Sequence, residues 1–230
     1  MNFKSMNKLL ETIEIETAPN PTAAVIWLHG LGADGNDFAP MVPELGLGNA
    51  PAIRFIFPHA PMMPVTINNG YVMRAWYDVS YGDLEGKSRQ ADEKGVRASQ
   101  AEIEKLIARE TARGVAADKI VIAGFSQGGA IALHTGLRHT DKLAGIMALS
   151  TYLPVAQTLP AEAAAANRRI PLFYAHGTHD QVIPIAMAEA SRKVLNETGY
   201  IVEWHNYPMQ HSVCIEEIRD ISAWLQSVLR

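Results

Sequence analysis

The sequence has little cysteine, no long apolar run and no excess of positive charge, and each shortage excludes a class of protein. The single cysteine, Cys214, cannot form an internal disulfide or a CxxC metal site, so nothing indicates an oxidising compartment. No uncharged apolar run reaches the ~18 residues of a membrane span. The first twenty residues contain three glutamates where a signal segment would be apolar. Twenty basic against 24 acidic side chains give a net charge of −4 without a basic stripe. We therefore expect a cytoplasmic protein that neither inserts stably into a membrane nor binds nucleic acid.

The length and the order of apolar runs predict one α/β domain over residues 1–230. The chain has 230 residues, of which 48% are apolar, and this is enough for one sizeable core. Short β-branched runs alternate with longer helical patterns, which is typical of a central, mostly parallel β-sheet flanked by helices. The predicted strands are residues 23–28, 53–57, 119–123, 145–149, 171–175 and 202–207. Helices are predicted over 90–113 and from residue 215 to the C-terminus.

Residues 58–87 do not fit this alternation. They are long for a connection, and they are rich in methionine, proline and aromatic residues. Two interpretations stand side by side: a crossover with a short extra strand or helix, or an apolar wall for a ligand.

The sequence Gly124-Phe125-Ser126-Gln127-Gly128 matches the pattern G-x-S-x-G. An apolar strand leads directly into it, and the helix-forming residues 130–134 follow. A strand, a sharp turn and a helix in this order are typical of a nucleophile elbow, in which small neighbours make room for a strained serine. Ser126 is therefore the predicted nucleophile.

A serine hydroxyl needs a base, and the base needs a carboxylate that orients it. In elbow-containing folds the chain order is serine, acid, histidine. Asp220 has no histidine after it, and Asp141 lies in a polar turn before its strand begins. Asp180 follows the predicted strand 171–175 at its carboxyl end, where open α/β sheets place their sites. Asp180 is thus the predicted acid.

Two histidines follow Asp180 in the chain. His205 falls inside the predicted strand 202–207, where a packing role is more usual. His211 lies in the loop between that strand and the last helix, so His211 is the predicted base. No pair of histidines or cysteines has zinc-site spacing, and we expect no metal.

The glycine-rich segment Gly30–Gly35 allows two interpretations. It contains G-x-G-x-x-G after an apolar strand, which is the pattern of a dinucleotide-binding oxidoreductase. That fingerprint also requires an acidic residue ~20 positions later, and the next strand ends in Pro58-His59 instead. The alternative is an oxyanion hole, in which the backbone N–H groups of Leu31 and Gln127 bind the carbonyl oxygen.

Seven segments together resemble one known family. HGLGADG, FPHAP, MRAWYD, AGFSQGGA, LSTYLP, HGTHDQVIP and MQHSVC occur in the order found in the phospholipase/carboxylesterase family of α/β-hydrolases, which includes bacterial carboxylesterases and acyl-protein thioesterases. The resemblance covers nearly the whole chain, and His179 before the acid is a small departure from the family pattern. It implies an α/β-hydrolase fold with no large cap domain.

The same resemblance implies a catalytic triad of Ser126, Asp180 and His211, with the Leu31 and Gln127 amides as oxyanion hole. It also implies an acyl-binding groove, lined by Trp76, Tyr152, Leu153 and Val182. We expect a carboxylesterase that cleaves esters of short-to-medium acyl chains without a cofactor, with thioesters of such chains as a further class of substrate. Its substrate would be a small-molecule ester, a lipid or an acylated protein, and a homodimer is compatible with the sequence. The alternatives are an acyl-protein thioesterase or lysophospholipase using the same triad and, from other classes, the oxidoreductase and a non-catalytic binding module.

Overall fold

The computed structural model of the protein describes residues 8–80 and 92–230. The strands are β1 (Thr12–Glu16), β2 (Ala23–Leu28), β3 (Ile53–Pro58), β4 (Met62–Val65), β5 (Tyr71–Arg74), β6 (Ile120–Phe125), β7 (Gly145–Leu149), β8 (Leu172–Gly177) and β9 (Val202–Tyr207). The α-helices are α1 (Glu93–Ala112), α2 (Gln127–Arg138), α3 (Leu159–Glu162), α4 (Ile185–Glu197) and α5 (Ile215–Val228). Short 3-10 helices are Ala39–Leu45, Thr66–Asn68, Ala117–Lys119, Ala156–Thr158 and Ala165–Asn167.

The central sheet has the strand order β1-β3-β2-β6-β7-β8-β9. β1 is antiparallel to β3, and the other neighbouring strands are parallel. The predicted α/β class with a mostly parallel sheet is therefore confirmed. From the central pair β2 and β6 the chain runs outward in both directions. A crevice forms at the carboxyl ends of such a pair, which is where ligands bind in open α/β sheets.

Helices cover both faces of the sheet, which explains why its inner strands are buried and mostly apolar. Alternate residues of β2 point to opposite faces, because side chains in a strand alternate. Ala24, Ile26 and Leu28 pack with the cores of α1 and α2, while Ala23, Val25 and Trp27 pack on the opposite side with α5 and the helix Ala39–Leu45. All six residues of β2 are buried. This rigid centre holds the ends of β2 and β6 in fixed positions.

The predicted strands agree with the observed ones within one or two residues. Three have the predicted bounds, and β3 is one residue longer than predicted. β6 begins after Lys119, which belongs to a 3-10 helix, and continues to Phe125. β8 is displaced by one residue at its start and extends to Gly177, so that His176 belongs to the strand and not to the turn after it.

Two parts of the fold were not predicted with their observed bounds: the strand β1 and the hairpin of β4 and β5. β1 forms one edge of the sheet, where it pairs with β3, and its residues are only partly buried. β4 and β5 form a separate antiparallel hairpin within residues 58–87, with exposed Met62, Tyr71 and Val72 at its surface. The extra-strand interpretation of this segment is therefore correct for residues 62–74, while residues 81–87 lie outside the described part.

The predicted helix over 90–113 is observed as α1. Asp92 caps it by accepting a hydrogen bond from the Gly95 amide, so the helix begins at Glu93, and residues 90 and 91 lie outside the described residues. The closing helix is observed as α5. Of the helices in the described residues, none has the length and apolarity required to cross a membrane.

Candidate active site

Ser126 lies at the sharp turn between β6 and α2. Its backbone angles are φ 55° and ψ −123°, a conformation that residues with a side chain rarely adopt. The Ser126 amide donates to the Leu149 carbonyl at 2.9 Å, and the Thr151 hydroxyl donates to the Ser126 carbonyl at 2.6 Å. Such conformations store about 1–3 kcal/mol and persist only where the surroundings enforce them. The predicted strand, turn and helix thus surround a strained serine.

The two glycines of G-x-S-x-G are required by close backbone approach. A Cβ atom at Gly124 would lie 2.3 Å from the carbonyl carbon and oxygen of Gly128. A Cβ atom at Gly128 would lie 2.4 Å from the Leu28 carbonyl oxygen. No side chain fits at these distances, so glycine at both positions lets α2 start directly against β6 and β2.

His211 connects Ser126 to Asp180 through its two ring nitrogens. Nε2 lies 3.0 Å from the Ser126 Oγ, and Nδ1 lies 2.7 Å from the Asp180 Oδ2. An ionised carboxylate only accepts hydrogen bonds, so Nδ1 carries the proton and Nε2 is free to accept from the serine hydroxyl. The imidazole also packs on the Phe125 ring, with centroids 4.7 Å apart. The side chains predicted from chain order are therefore brought together in one hydrogen-bonded series.

Asp180 is held by its own turn after β8. Its Oδ1 accepts hydrogen bonds from the Val182 and Ile183 amides, both at 2.9 Å, which leaves Oδ2 for His211. The side chain of Asp180 is fully buried. These contacts fix the direction of the carboxylate.

A second histidine, His176, also faces this carboxylate, and sequence reasoning missed it. Its Nε2 lies 2.8 Å from the Ile183 carbonyl and 3.4 Å from the Asp180 Oδ2. Burial is the main cause that lowers the pKa of His176, so the ring is neutral and Nε2 donates. Its position four residues before the acid was a signal that could have pointed to it.

His205, the other histidine after Asp180, lies elsewhere. It is on β9, where its ring stacks on Phe173 with centroids 4.6 Å apart. Its Nε2 lies 3.0 Å from the Glu203 carboxylate. This is the packing position expected of it.

The two predicted oxyanion donors belong to segments that adjoin Ser126: Gln127 follows it in the chain, and Leu31 follows Gly30, which packs against it. Gln127 is the first residue of α2, where backbone N–H groups have no partner inside the helix. Gly30, the residue before Leu31, packs so closely that a Cβ atom there would lie 3.4 Å from the Ser126 Cβ. Within residues 8–80 and 92–230, neither the Leu31 nor the Gln127 amide donates a hydrogen bond. Both amides are thus available beside the serine.

The Gln127 side chain ties the segment around Trp76 to the start of α2. Its Oε1 accepts from the Trp76 amide at 2.8 Å, and its Nε2 donates to the Tyr77 carbonyl at 2.7 Å. The Trp76 indole N–H in turn donates to the His29 carbonyl at 2.9 Å. Sequence reasoning missed this role, because the partners of the side chain are backbone atoms.

The four residues expected to line an acyl groove have different environments. Trp76 and Leu153 are 2% and 6% exposed, whereas Val182 is 51% exposed. Tyr152 is partly buried, and its hydroxyl lies 2.8 Å from that of Tyr77. Trp76 also lines an open cleft of about 600 Å³, and the lining of that cleft includes none of the residues that bond to His211. The groove therefore stays a prediction.

Among the described residues, no group of three or more His, Cys, Asp or Glu side chains lies close enough together to hold a metal ion.

The fold and the comparisons agree on the class of protein. A parallel sheet flanked by helices, with a serine at the turn after a central strand, defines an α/β-hydrolase. Residues 10–229 match the phospholipase/carboxylesterase family. The chain belongs to this family.

Individual relatives are similar over most of their length. Acyl-protein thioesterase 1 of Neurospora crassa is 42% identical over 212 residues, which are 89% of this chain and 86% of that protein. The crystal structure of acyl-protein thioesterase 2 of Zea mays has a TM-score of 0.81 at 27% identity and covers 96% of this chain and 99% of its own. SOBER1 of Arabidopsis thaliana has a TM-score of 0.83 at 29% identity, covering 90% and 99%.

These findings also bear on the alternatives. Gly30, the first residue of the glycine-rich segment, packs against Ser126, and the chain belongs to a hydrolase family, so the oxidoreductase interpretation loses its support. Among hydrolases, the relatives favour the thioesterase alternative over the carboxylesterase that we expected first.

Proposed function

We propose that this protein is a serine hydrolase of the acyl-protein thioesterase type, which cleaves the thioester between an acyl chain and a cysteine side chain. The observation that carries the proposal is the hydrogen-bonded series Ser126, His211 and Asp180. The 42% identity to an acyl-protein thioesterase supports the choice of substrate. Lysophospholipase activity, on the same residues, is the second candidate and an outcome of the substrate test below.

In the first step, the Ser126 Oγ attacks the carbonyl carbon of the bound thioester. His211 accepts the hydroxyl proton through Nε2, which lies 3.0 Å from Oγ. The resulting imidazolium is stabilised by the Asp180 carboxylate at Nδ1. The tetrahedral intermediate collapses, the carbon–sulfur bond breaks, and the thiolate leaves with the proton that His211 returns.

In the second step, water releases the acyl group from Ser126. His211 takes a proton from the water as it attacks the acyl-serine ester, and returns the proton to the Ser126 Oγ. The carboxylic acid leaves, and the free hydroxyl is restored. In both steps the carbonyl oxygen becomes an oxyanion, for which the Leu31 and Gln127 amides are the proposed donors. One such donor contributes roughly 10²–10³ in rate.

The same machinery serves esters and thioesters, so the leaving group decides how strongly each depends on His211. A thiol with a pKa of about 8.5 leaves as a thiolate more readily than an alcohol leaves as an alkoxide. Proton return from His211 therefore matters less for a thioester than for an oxygen ester with the same acyl chain.

The substrate is tested with matched S-acyl and O-acyl peptides of equal chain length, from four to sixteen carbons. We expect a higher kcat/KM for the thioester than for the oxygen ester at each length. A preference for short oxygen esters would restore the carboxylesterase interpretation. Faster cleavage of a lysophospholipid than of any acyl peptide would favour the second candidate.

The chemistry is tested with a fluorophosphonate probe and three variants. We expect the probe to modify Ser126, and the variants Ser126→Ala and His211→Ala to lose at least about 10³-fold in kcat. His205→Ala is the matched control, and we expect it to keep kcat within about two-fold. Modification of another residue, or full turnover by Ser126→Ala, would reject the mechanism.

A further inference from the structure

His29, which the mechanism does not use, is a buried histidine with both ring nitrogens hydrogen-bonded. It follows β2 directly and is 1% exposed. Nδ1 lies 2.7 Å from the Gly30 carbonyl oxygen, and Nε2 accepts a hydrogen bond from the Ala60 amide at 3.0 Å. The imidazole therefore connects the glycine-rich segment after β2 to the end of β3.

These two partners determine the tautomer of the ring. The Ala60 amide can only donate, so Nε2 has no proton and Nδ1 carries it. Nδ1–H then donates to the Gly30 carbonyl. Burial is the main cause that lowers the pKa of His29 to about 4, and nearby His59 and Arg74 lower it further, against the Gly30 carbonyl and Asp34, which raise it. The ring is thus neutral at neutral pH.

The Gly30 carbonyl belongs to the same peptide group as the Leu31 N–H. In a trans peptide, C=O and N–H point in opposite directions within one plane, and no cis peptide occurs in the described residues. A hydrogen bond that fixes the carbonyl on one side therefore fixes the N–H on the other. Because Gly30 packs on Ser126, the orientation of this one peptide decides where the free Leu31 amide points.

The loop is fixed from the other side as well. The Gly35 amide donates to the Nδ1 of His59 at 3.1 Å, so a histidine after β3 holds the loop after β2. His29 and His59 thus link the same two loops in opposite directions. The bond between Gly35 and His59 restrains the loop after β2 as a whole. The bond between His29 and the Gly30 carbonyl fixes one peptide plane within that loop.

We propose that His29 is a positioning residue that orients the Gly30–Leu31 peptide so that the Leu31 N–H points at the oxyanion of the reacting acyl group. The inference rests on the proposed function, because it assigns a task within the same reaction. His29 does not touch the substrate; it acts through the peptide group.

Two substitutions separate this task from a purely structural one. In His29→Asn the side-chain amide occupies the place of Nδ1, so it can donate to the Gly30 carbonyl but cannot reach the Ala60 amide. In His29→Gln the terminal group occupies the place of Nε2, so it can accept from Ala60 but no longer donates to Gly30. A structural role predicts more damage from asparagine, and a positioning role predicts more damage from glutamine.

We expect His29→Gln to lower kcat about 10- to 100-fold with KM changed less than about three-fold, since removing a whole oxyanion donor costs 10²–10³. His29→Asn should recover most of this loss. The pH profile of kcat for His29→Gln should keep the wild-type shape, because the His29 ring is already neutral near neutral pH and its removal takes away no group that titrates in that range. A trifluoromethyl ketone forms an oxyanion when the serine adds to its carbonyl carbon. The affinity of His29→Gln for this ketone should fall in the same proportion as its kcat/KM.

The control is His134→Gln. His134 is a fully buried histidine of α2 without a part in either loop, and its replacement should lower the melting temperature and leave kcat within two-fold. If His29→Gln keeps the wild-type kcat, or if His29→Asn loses as much as His29→Gln, the inference is wrong. If neither variant folds, nitrogen NMR of the wild-type ring decides: a proton on Nδ1 and a shift of the Leu31 amide on ketone binding support it, and a proton on Nε2 overturns it.

Failure of the proposed function gives a different result. In that case Ser126→Ala keeps its activity and the ketone does not bind the wild-type protein. If Ser126→Ala is inactive and the ketone binds, while the two His29 variants do not differ, only the role of His29 is rejected.

Discussion

Gly177, at the end of β8, packs against the carbonyl oxygen of Gln210, the residue before His211. A Cβ atom at Gly177 would lie 2.4 Å from that oxygen and 2.4 Å from the carbonyl oxygen of Met209. The His179 amide also donates to the Met209 carbonyl at 3.0 Å. The strand that leads to Asp180 thus sets the position of the loop that carries His211.

Gly177→Ala is therefore predicted to displace His211. A methyl group at 2.4 Å from two carbonyl oxygens forces the loop away, and both hydrogen bonds of the imidazole lengthen. A shift of 1 Å in a catalytic group can cost about 10²-fold in rate. We expect kcat to fall about 10- to 100-fold and the free energy of unfolding to fall by about 1–3 kcal/mol.

The control for this variant is Gly48→Ala, because among the described residues, its two chain neighbours apart, no atom lies within 4 Å of a Cβ placed there. Steady-state kinetics and urea unfolding should show no more than a two-fold change in kcat and about 0.5 kcal/mol in stability. Full activity in Gly177→Ala would contradict the close packing of Gly177 against the Gln210 and Met209 carbonyl oxygens.

The strained backbone at Ser126 predicts an unusual order of stabilities. Both Ser126→Ala and Ser126→Gly remove the proposed nucleophile, but only glycine adopts φ 55° without strain. We expect the glycine variant to be more stable than the alanine variant by about 1 kcal/mol in urea unfolding. At Ser222, inside α5, the same pair of substitutions should give the opposite order, because glycine destabilises a helix interior. The same order at both positions would mean that Ser126 is not strained.

The inner strands could be predicted from the sequence because burial on both faces requires long apolar runs. Such runs as Ala23–Leu28 have few alternative conformations in an α/β chain. The hairpin of β4 and β5 has no such signature, since its two strands pair only with each other and remain partly exposed. β1 alternates in sequence, but at five residues on the sheet edge its pattern is weak.

The serine, acid and histidine could be predicted because the fold orders them along the chain. The side chains that bond to the surrounding loops could not be predicted in that role. Their partners are backbone atoms, which every type of residue has. His29 binds an amide 31 residues away, and Gln127 binds one 51 residues away. The sequence shows which side chain is present. Its hydrogen-bond partner depends on which two loops lie next to each other in the folded protein.

A buried ion pair between β3 and α1 predicts a large loss of stability when one partner is removed. The Arg54 Nη1 lies 2.7 Å from the Glu110 Oε2, with the two side chains 9% and 0% exposed. Glu110→Gln removes this partner, while the Glu16 carboxylate, 2.9 Å from the Arg54 Nε, still compensates part of the arginine charge. We expect a loss of about 3 kcal/mol in urea unfolding, at the low end for a broken buried pair.

The matched surface pair is Lys193 and Glu197, 3.8 Å apart and 75% and 63% exposed. Glu197→Gln should change stability by no more than about 0.5 kcal/mol, because water already screens both charges. Equal effects of the two substitutions would mean that the burial of Glu110 adds nothing to the pair.

Glu217, in the first turn of α5, predicts a pH-dependent stability. Its side chain is buried. Burial is the main cause that raises the pKa of Glu217 to about 8, from 4.5 in an exposed side chain; the charge of Asp220 raises it further, and the Cys214 backbone amide lowers it. Between these two values the folded protein keeps a proton that the unfolded chain has lost. Stability from this group is complete below pH 4.5 and falls as pH rises to about 8, by up to about 1.4 kcal/mol per pH unit.

Glu217→Gln removes this titration. We expect the variant to have the same free energy of unfolding as the wild type near pH 5 and a higher one at pH 8. At pH 8 the folded wild type either ionises a buried carboxyl or holds a proton that the unfolded chain has released, and both lower its stability. Urea unfolding at pH 5, 6.5 and 8 measures the difference between the two proteins, which cancels the titration of all other groups. Glu216→Gln, at the exposed neighbouring position, should follow the wild-type curve. A constant difference between Glu217→Gln and the wild type across the three pH values would show that Glu217 has an ordinary pKa in the folded protein.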